Sequence, residues 1–303
     1  MKHAYDRALA LCRQGGETPQ LFRVLNGLCG FYIVRAEHRA AQELAEECLS
    51  LAQRLQDPAL LLGAHYVLGM TFFWHGELTR ARAHQKQTLA CYHAQQNKGH
   101  FASWLNLRVN SLNYAAFTLR NLGYPDQALK RSQEAISLAH ELAQPFSLGM
   151  ALCFVADVHL GRGEGQAAQA RAEELMTLST EQGFTQLLAD GTMFRGAALV
   201  QQGQVEEGII QMQRGISAGR ATGFEMGRTG DLAGLALGYA KAGQIEKGLT
   251  IVAEALTLVD KTEERVSEAE LYILKGWLLL ARSQKSHTEA EAYFRHTLVI
   301  NRR

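Results

Sequence analysis

One spacing constrains this chain more than any other feature it carries. Small residues recur at Ala41, Ala81, Ala128, Ala168, Gly208, Gly248 and Ala290, in steps of 40, 47, 40, 40, 40 and 42. Eight residues after each stands a large aliphatic: Leu49, Leu89, Ile136, Met176, Ile216, Leu256 and Leu298. Five before stands a turn former or small residue at Ala36, Gly76, Gly123, Gly163, Gly203 and Gly243. Three columns in register mark an internal repeat, and a repeat decides the fold before any local propensity does. The 42 Ala and 43 Leu in 303 residues, against 4 Pro, make the repeating unit helical and argue against a sheet-rich enzyme.

Each column has a physical role. A Gly closing a helix takes the left-handed conformation that stops it and reverses the backbone direction, so the 36-to-243 column reads as the corner of a helical hairpin. The small residue then lies early in the second helix, where only Ala or Gly lets two backbones approach. The aliphatic eight residues on is expected to fill the seam between neighbouring hairpins. The sequence thus predicts an all-α protein: a right-handed superhelical α-solenoid of about seven antiparallel hairpins plus an N-terminal half repeat. It is read as one array over 1–303, with hairpins about 20–55, 59–96, 103–142, 146–182, 186–222, 229–260 and 267–301. Thr18-Pro19 and Asp57-Pro58 carry the N-cap and first-turn Pro signature, and Ser267/Glu270 and Thr288/Glu291 have capping-box spacing. One period back from Ala41, Met1 falls in the small column and Leu9 in the aliphatic one, so the chain is expected to open halfway through a repeat of a longer array. The 47-residue step adds about two helical turns and keeps the phase. Its segment Asn97-Lys98-Gly99-His100-Phe101-Ala102-Ser103-Trp104 is either a contact element or a longer first helix.

Charge and cysteine usage narrow the function. Lys plus Arg number 31 and Asp plus Glu 30, a net +1, so no bulk field gathers nucleic acid, and no nucleic acid or membrane partner is expected. The five cysteines (Cys12, Cys29, Cys48, Cys91, Cys153) are odd in number and set among apolar residues, which fits reduced core fillers in the cytoplasm. Catalytic motifs lose their context. Gly215-Ile216-Ser217-Ala218-Gly219 matches a nucleophile elbow, with Asp260 and His287 following, but the elbow needs a strand before its Ser and Ile216 belongs to a helix. His140-Glu141 begins a zinc motif whose second ligand position is Gln144. Gly161-Arg162-Gly163-Glu164-Gly165 lacks the strand and the Lys-Ser/Thr of a phosphate loop, and reads as a hairpin corner. The expectation is no enzyme, no cofactor and no metal.

Leu68-Gly69, Phe72-Phe73, Gly76-Glu77, Ala81 and Leu89 together resemble the tetratricopeptide repeat (TPR) pattern, over essentially the whole chain but at a period of 40 rather than about 34. Long repeats of this kind resemble the C-terminal arrays of bacterial adenylate/guanylate cyclase-ATPase and other signal-transduction ATPase proteins; residues 122–129 and 268–272 are similar to such segments. The resemblance implies a protein- or peptide-binding scaffold or regulatory module, with an attached ATPase or cyclase module as a further partner. The alternative it implies is a small-molecule-sensing array controlling such a module. It also implies a concave groove lined by the first helix of each hairpin, and at the family's contact positions stand Tyr66, Asn113, Phe73, Phe117, Arg120 and Asp157. Asn110, Asn113, Arg120 and Asn121 offer donors for an extended peptide's backbone or carboxylate, while Tyr66, Phe73 and Trp74 are either aromatic anchors or packing between repeats. Partner identity and oligomeric state stay open.

Overall fold

The computed structural model describes residues 2–94, 106–283 and 286–300, without the side chains of Lys2 and residues 92–94. Those residues form fifteen helices and no strand. The protein divides into two compact units, Met1–Ser147 and Leu148–Arg303. In the first, α1 (Lys2–Gln14) precedes three antiparallel hairpins: α2 (Pro19–Val34) with α3 (His38–Leu55), α4 (Pro58–Trp74) with α5 (Leu78–Ala94), and α6 (Leu107–Asn121) with α7 (Pro125–Glu141). In the second, which holds all but the first turn of α8, the pairs are α8 (Pro145–Gly161) with α9 (Gly165–Gln182), α10 (Thr185–Gln201) with α11 (Val205–Ala221), α12 (Arg228–Lys241) with α13 (Ile245–Thr262), and α14 (Glu268–Arg282) with α15 (His287–Ile300). None of the helices described is long and apolar enough to cross a membrane. The 97–103 segment lies outside the described residues.

The corners explain the spacing of the columns. Ala36, Gly76, Gly123, Gly163, Gly203 and Gly243 all have positive φ, and so do Gly16, Gln56, Ala143, Gly183, Gly223 and Glu263 between hairpins. Apart from the 47-residue step, a left-handed residue therefore falls every 20 residues. At each of these six hairpin corners two bonds close the ending helix, as where Ala36 N donates to Ile33 O at 3.0 Å and Glu37 N to Tyr32 O at 2.9 Å. The same Glu37 starts the next helix, its carbonyl accepting from Ala41 N at 3.1 Å. Glu77, Tyr124, Glu164, Gln204 and Gln244 repeat this double duty. Five residues from corner to small residue is thus one C-cap plus the first turn of the following helix.

The small column lies where two backbones meet. A Cβ on Gly208 would stand 2.6 Å from Gly196 O and from Val200 Cγ2. The aliphatic column corrects the expectation, because Leu49, Leu89, Ile136, Met176, Ile216 and Leu256 are only half-buried and Leu298 is 61% exposed. At 3.6 residues per turn, a step of eight rotates about 80° away from the small residue, whereas steps of four, seven and eleven stay within about 40°. The buried stripe follows that rule: Ala41/Ala45/Cys48/Ala52, Ala168/Ala172/Leu175/Ser179 and Gly248/Val252/Ala255/Val259. Second helices bury this one stripe. First helices are apolar on nearly every face, and α4 buries twelve of its seventeen residues.

Caps agree with the sequence at two places and depart from it at two others. Thr18 accepts from Leu21 N, and Asp57 from Ala59 N and Leu60 N. The expected Ser267 capping box does not form, because the Ser267 hydroxyl caps no N–H. α6 begins at Leu107 rather than 103, where Asn106 Oδ1 accepts from Arg108 N at 3.0 Å and Val109 N at 3.2 Å. The start of α12 is held from afar. Glu264, 1% exposed, accepts from Gly227 N at 2.9 Å, Thr229 N at 3.0 Å and Thr229 Oγ1 at 2.6 Å. A side-chain oxygen accepting from the N–H groups that a helix start leaves without an intrahelical partner is the pairing a cap supplies.

Two glycine replacements separate the two constraints. A Cβ on Gly203, at φ +87°, would meet nothing within 4 Å, so Gly203→Ala should cost only the backbone strain of a left-handed residue, about 1–2 kcal/mol. Gly208→Ala drives a methyl into backbone that has little room to yield, and its cost should reach the upper end of the overpacking range of about 1–3 kcal/mol. Urea denaturation midpoints of the two variants check the order.

Candidate functional site

In the first unit, one face of α6 collects four of the residues singled out from the sequence. Asn110, Asn113, Phe117 and Arg120 are spaced by three, four and three, which keeps them on a single stripe. Phe117 and Arg120 are half-buried, while Asn110 and Asn113 are covered, at 2% and 0% exposure. Asn110 Nδ2 donates to Tyr66 Oη across from α4. Burial raises the Tyr66 hydroxyl well above the usual phenol range, so it stays protonated. Asn110 Oδ1 and both polar atoms of Asn113 have no hydrogen-bond partner among the described residues.

The aromatic residues close around this stripe. Phe73, 2% exposed, packs against Tyr114 and Phe117 with ring centroids 5.7 Å away in each case. Trp74 donates from Nε1 to Tyr114 Oη at 3.3 Å and stacks on His38 at 6.1 Å. Of the two readings of Phe73 and Trp74, the structure has them in packing between hairpins. Asn121 stands apart, exposed, its Nδ2 bonded to Phe117 O at 2.9 Å within its own helix. Gln85 was not among the residues the sequence pointed to. It lies on α5 at the second position of the buried stripe, four residues after Ala81, 4% exposed, with Nε2 donating to Thr118 Oγ1 at 2.8 Å and Oε1 unpartnered among the described residues. A long polar residue in a column otherwise of Ala, Ser, Met, Val and Phe was the signal that could have found it.

In the second unit, Asp157 does not stand alone. It lies half-buried on α8, and the first helices α10 and α12 bring Asp190 and Asp231 into its electrostatic neighbourhood around the buried thiol of Cys153. Burial pushes Asp190 up to about 7, and the amide of Gln186, 2.7 Å from it, opposes that rise. Asp231 is held well above the carboxylate range, first by burial and then by Asp190, Glu264 and Asp157, with Arg228 opposing. Carboxyls this closely coupled cannot all ionise. The space beside Asp190 and Asp231, walled by Met193, Phe224 and Met226, holds about 20 Å³, room for about one water molecule. Among the described residues, no group of three or more His, Cys, Asp or Glu could hold a metal ion.

A raised carboxyl binds its proton more tightly in the folded than in the unfolded state. Its stabilising contribution is full below the unfolded value near 3.8 and is lost as pH rises through about 7. Asp190→Asn should therefore raise the melting midpoint at pH 8, leave it little changed at pH 4, and flatten the fall between. Thermal melts of both proteins over that range test it.

No family model matches the sequence, and no curated protein sequence does either. Solved structures do. A Rap protein in complex with competence and sporulation factor superposes with a TM-score of 0.71 at 12% identity, covering 94% of this chain and 76% of that one. NprR in complex with its cognate peptide NprX gives 0.70 at 13% identity, covering 92% and 78%. Aspartyl phosphate phosphatase F from Bacillus subtilis gives 0.62 at 12% identity, covering 92% and 70%. At such identities the likeness is one of fold: this is an all-helical, TPR-like repeat protein.

Proposed function

We propose that this protein is a non-catalytic regulatory module that holds a peptide, or an extended segment of a protein, against the first helices of its hairpins. One observation carries the reading: Asn113, buried on the α6 stripe, has neither its carbonyl nor its amide nitrogen bonded among the described residues. Unpaired buried groups cost about 1–3 kcal/mol each, so a side chain of this kind persists where something else completes it. A carboxamide offers one acceptor and a donor pair, the complement of the carbonyl and N–H of a peptide backbone. An extended peptide presents those groups to one side at every second residue, about 6.6 Å apart. Arg120 on the same stripe suits a carboxylate, and half-buried Phe117 an apolar side chain.

The proteins of similar fold add support of a limited kind, because one of them was solved holding its cognate peptide. Control of an attached cyclase-ATPase module rests on the resemblance of residues 122–129 and 268–272 alone. For the small-molecule alternative, the space beside Asp190 falls far short of the roughly 300–1,000 Å³ of ligand cavities, while the shallow hollow at Ile210, Gln213 and Ser217, about 540 Å³, is large enough.

Selection of short random peptides on the purified protein, followed by calorimetric titration of the enriched ones, tests the proposal. Asn113→Ala combined with Arg120→Ala should weaken those peptides by about ten- to a hundred-fold, as expected for losing a charge-assisted and a neutral hydrogen bond, with helicity by circular dichroism unchanged. Peptides bound equally by the double variant would remove α6 from the site, and failure to enrich any would end the peptide reading.

A further inference from the structure

The α6 stripe that the proposed function relies on is shut. Gln85, Asn110 and Asn113 are 4%, 2% and 0% exposed, so nothing reaches them from solvent in this conformation. Of their six terminal amide atoms, two are bonded, Gln85 Nε2 to Thr118 Oγ1 and Asn110 Nδ2 to Tyr66 Oη. The other four have no partner among the described residues: Gln85 Oε1, Asn110 Oδ1, and Asn113 Oδ1 and Nδ2. A seam that buries four such atoms carries their desolvation cost uncompensated, and parting it returns them to water. What opposes parting is those two bonds together with the aromatic contacts, Phe73 against Phe117 and Tyr114 and Trp74 bonded to Tyr114.

The geometry also says which element moves. α4 and α5 are held together at close quarters, because a Cβ on Gly69 would meet Gln85 Cγ at 3.1 Å and Ala81 O at 3.7 Å. α6 touches that pair through the half-satisfied amides and through rings that can slide. Interfaces of this kind have discrete packed arrangements rather than a continuous range.

We propose that the seam between the α4–α5 hairpin and α6 is a gate: the structure is its closed form, and a minor open form, in which α6 withdraws and uncovers Asn110 and Asn113, is the one competent to bind. A ligand then acts by making that minor form dominant. The inference rests on the peptide reading for its purpose, but its test needs no peptide.

Hydrogen exchange of the intact, unliganded protein should show backbone amides of α6 between residues 110 and 119 opening more readily than those of α10 between 189 and 199. Asn113→Leu removes the two orphaned atoms at similar volume. It should slow α6 exchange about ten-fold, equivalent to about 1.4 kcal/mol, and leave α10 exchange unchanged. The melting midpoint should also rise by about 2–4 °C. If the Leu variant does not fold, Asn113→Met, with a more pliant side chain, carries the same expectation. Wild-type α6 amides as protected as those of α10 would overturn the gate, as would exchange unchanged or faster in a folded variant. A slowed seam with no peptide ever bound would leave the gate standing and remove only the peptide reading.

Discussion

Everything in this fold follows from a residue that turns left every twenty. The corner at Ala36, Gly76 or Gly203 does two things at once, because the residue after it both closes the ending helix and opens the next. Rotational phase is thereby handed from helix to helix with no slack. One residue added at a corner would turn the following helix by about 100° and swing Gly208 or Ala168 out of the seam. The strain that accompanies such rigidity shows at Ala36, Gln56, Ala143 and Glu263, which hold positive φ without being glycine; such residues sit in a conformation that costs L-amino acids about 1–2 kcal/mol each.

Fixed phase makes first and second helices chemically different. Second helices bury a single stripe of small residues and leave the rest to water, where pairs such as Arg80–Glu77 and Arg131–Glu134 lie. First helices lie between neighbours and are apolar almost all round. A polar residue on a first helix is therefore either bonded across the seam or left with an uncompensated loss of hydration, and few such residues are tolerated. That is why Asn110, Asn113 and Asp190 carry more functional meaning than a greater number of polar residues on α7 or α9.

The repeat and the corners were legible because they are local: a Gly, a cap and a small residue act within one turn of each other. The seam was legible only in part. Periodicity located Ala41 and its equivalents, but the bulky residue eight positions on is the more conspicuous one, although the geometry of the helix favours the modest Cys48 or Ala135 at seven. Ser267 and Glu270 had the right spacing for a cap, yet the Ser267 hydroxyl caps no N–H, so spacing alone did not decide it. Asn113 could be chosen from the sequence as polar in an apolar place, but its complete burial is a property of the packed hairpins and not of its own helix. The gathering of Asp157, Asp190 and Asp231 was not legible, because they lie 33 and 41 residues apart, in register with no column.

The two polar neighbourhoods differ in how each tolerates burial. Around Asp190 and Asp231 the solution is protonation: a carboxyl that cannot keep its charge gives it up, so the cost of burial shrinks as the pH is lowered and nothing need move. Carboxamides have no such escape. Asn113 cannot titrate away its unpaired atoms, and the only relief open to it is a new partner or a new position. A seam lined with amides is therefore biased toward opening in a way that a wall of carboxylic acids is not, and that bias belongs to residue type as much as to fold. In an all-helical repeat whose corners forbid rotation, the remaining freedom is the parting of one packed layer from the next, and α6 is where the chemistry puts it.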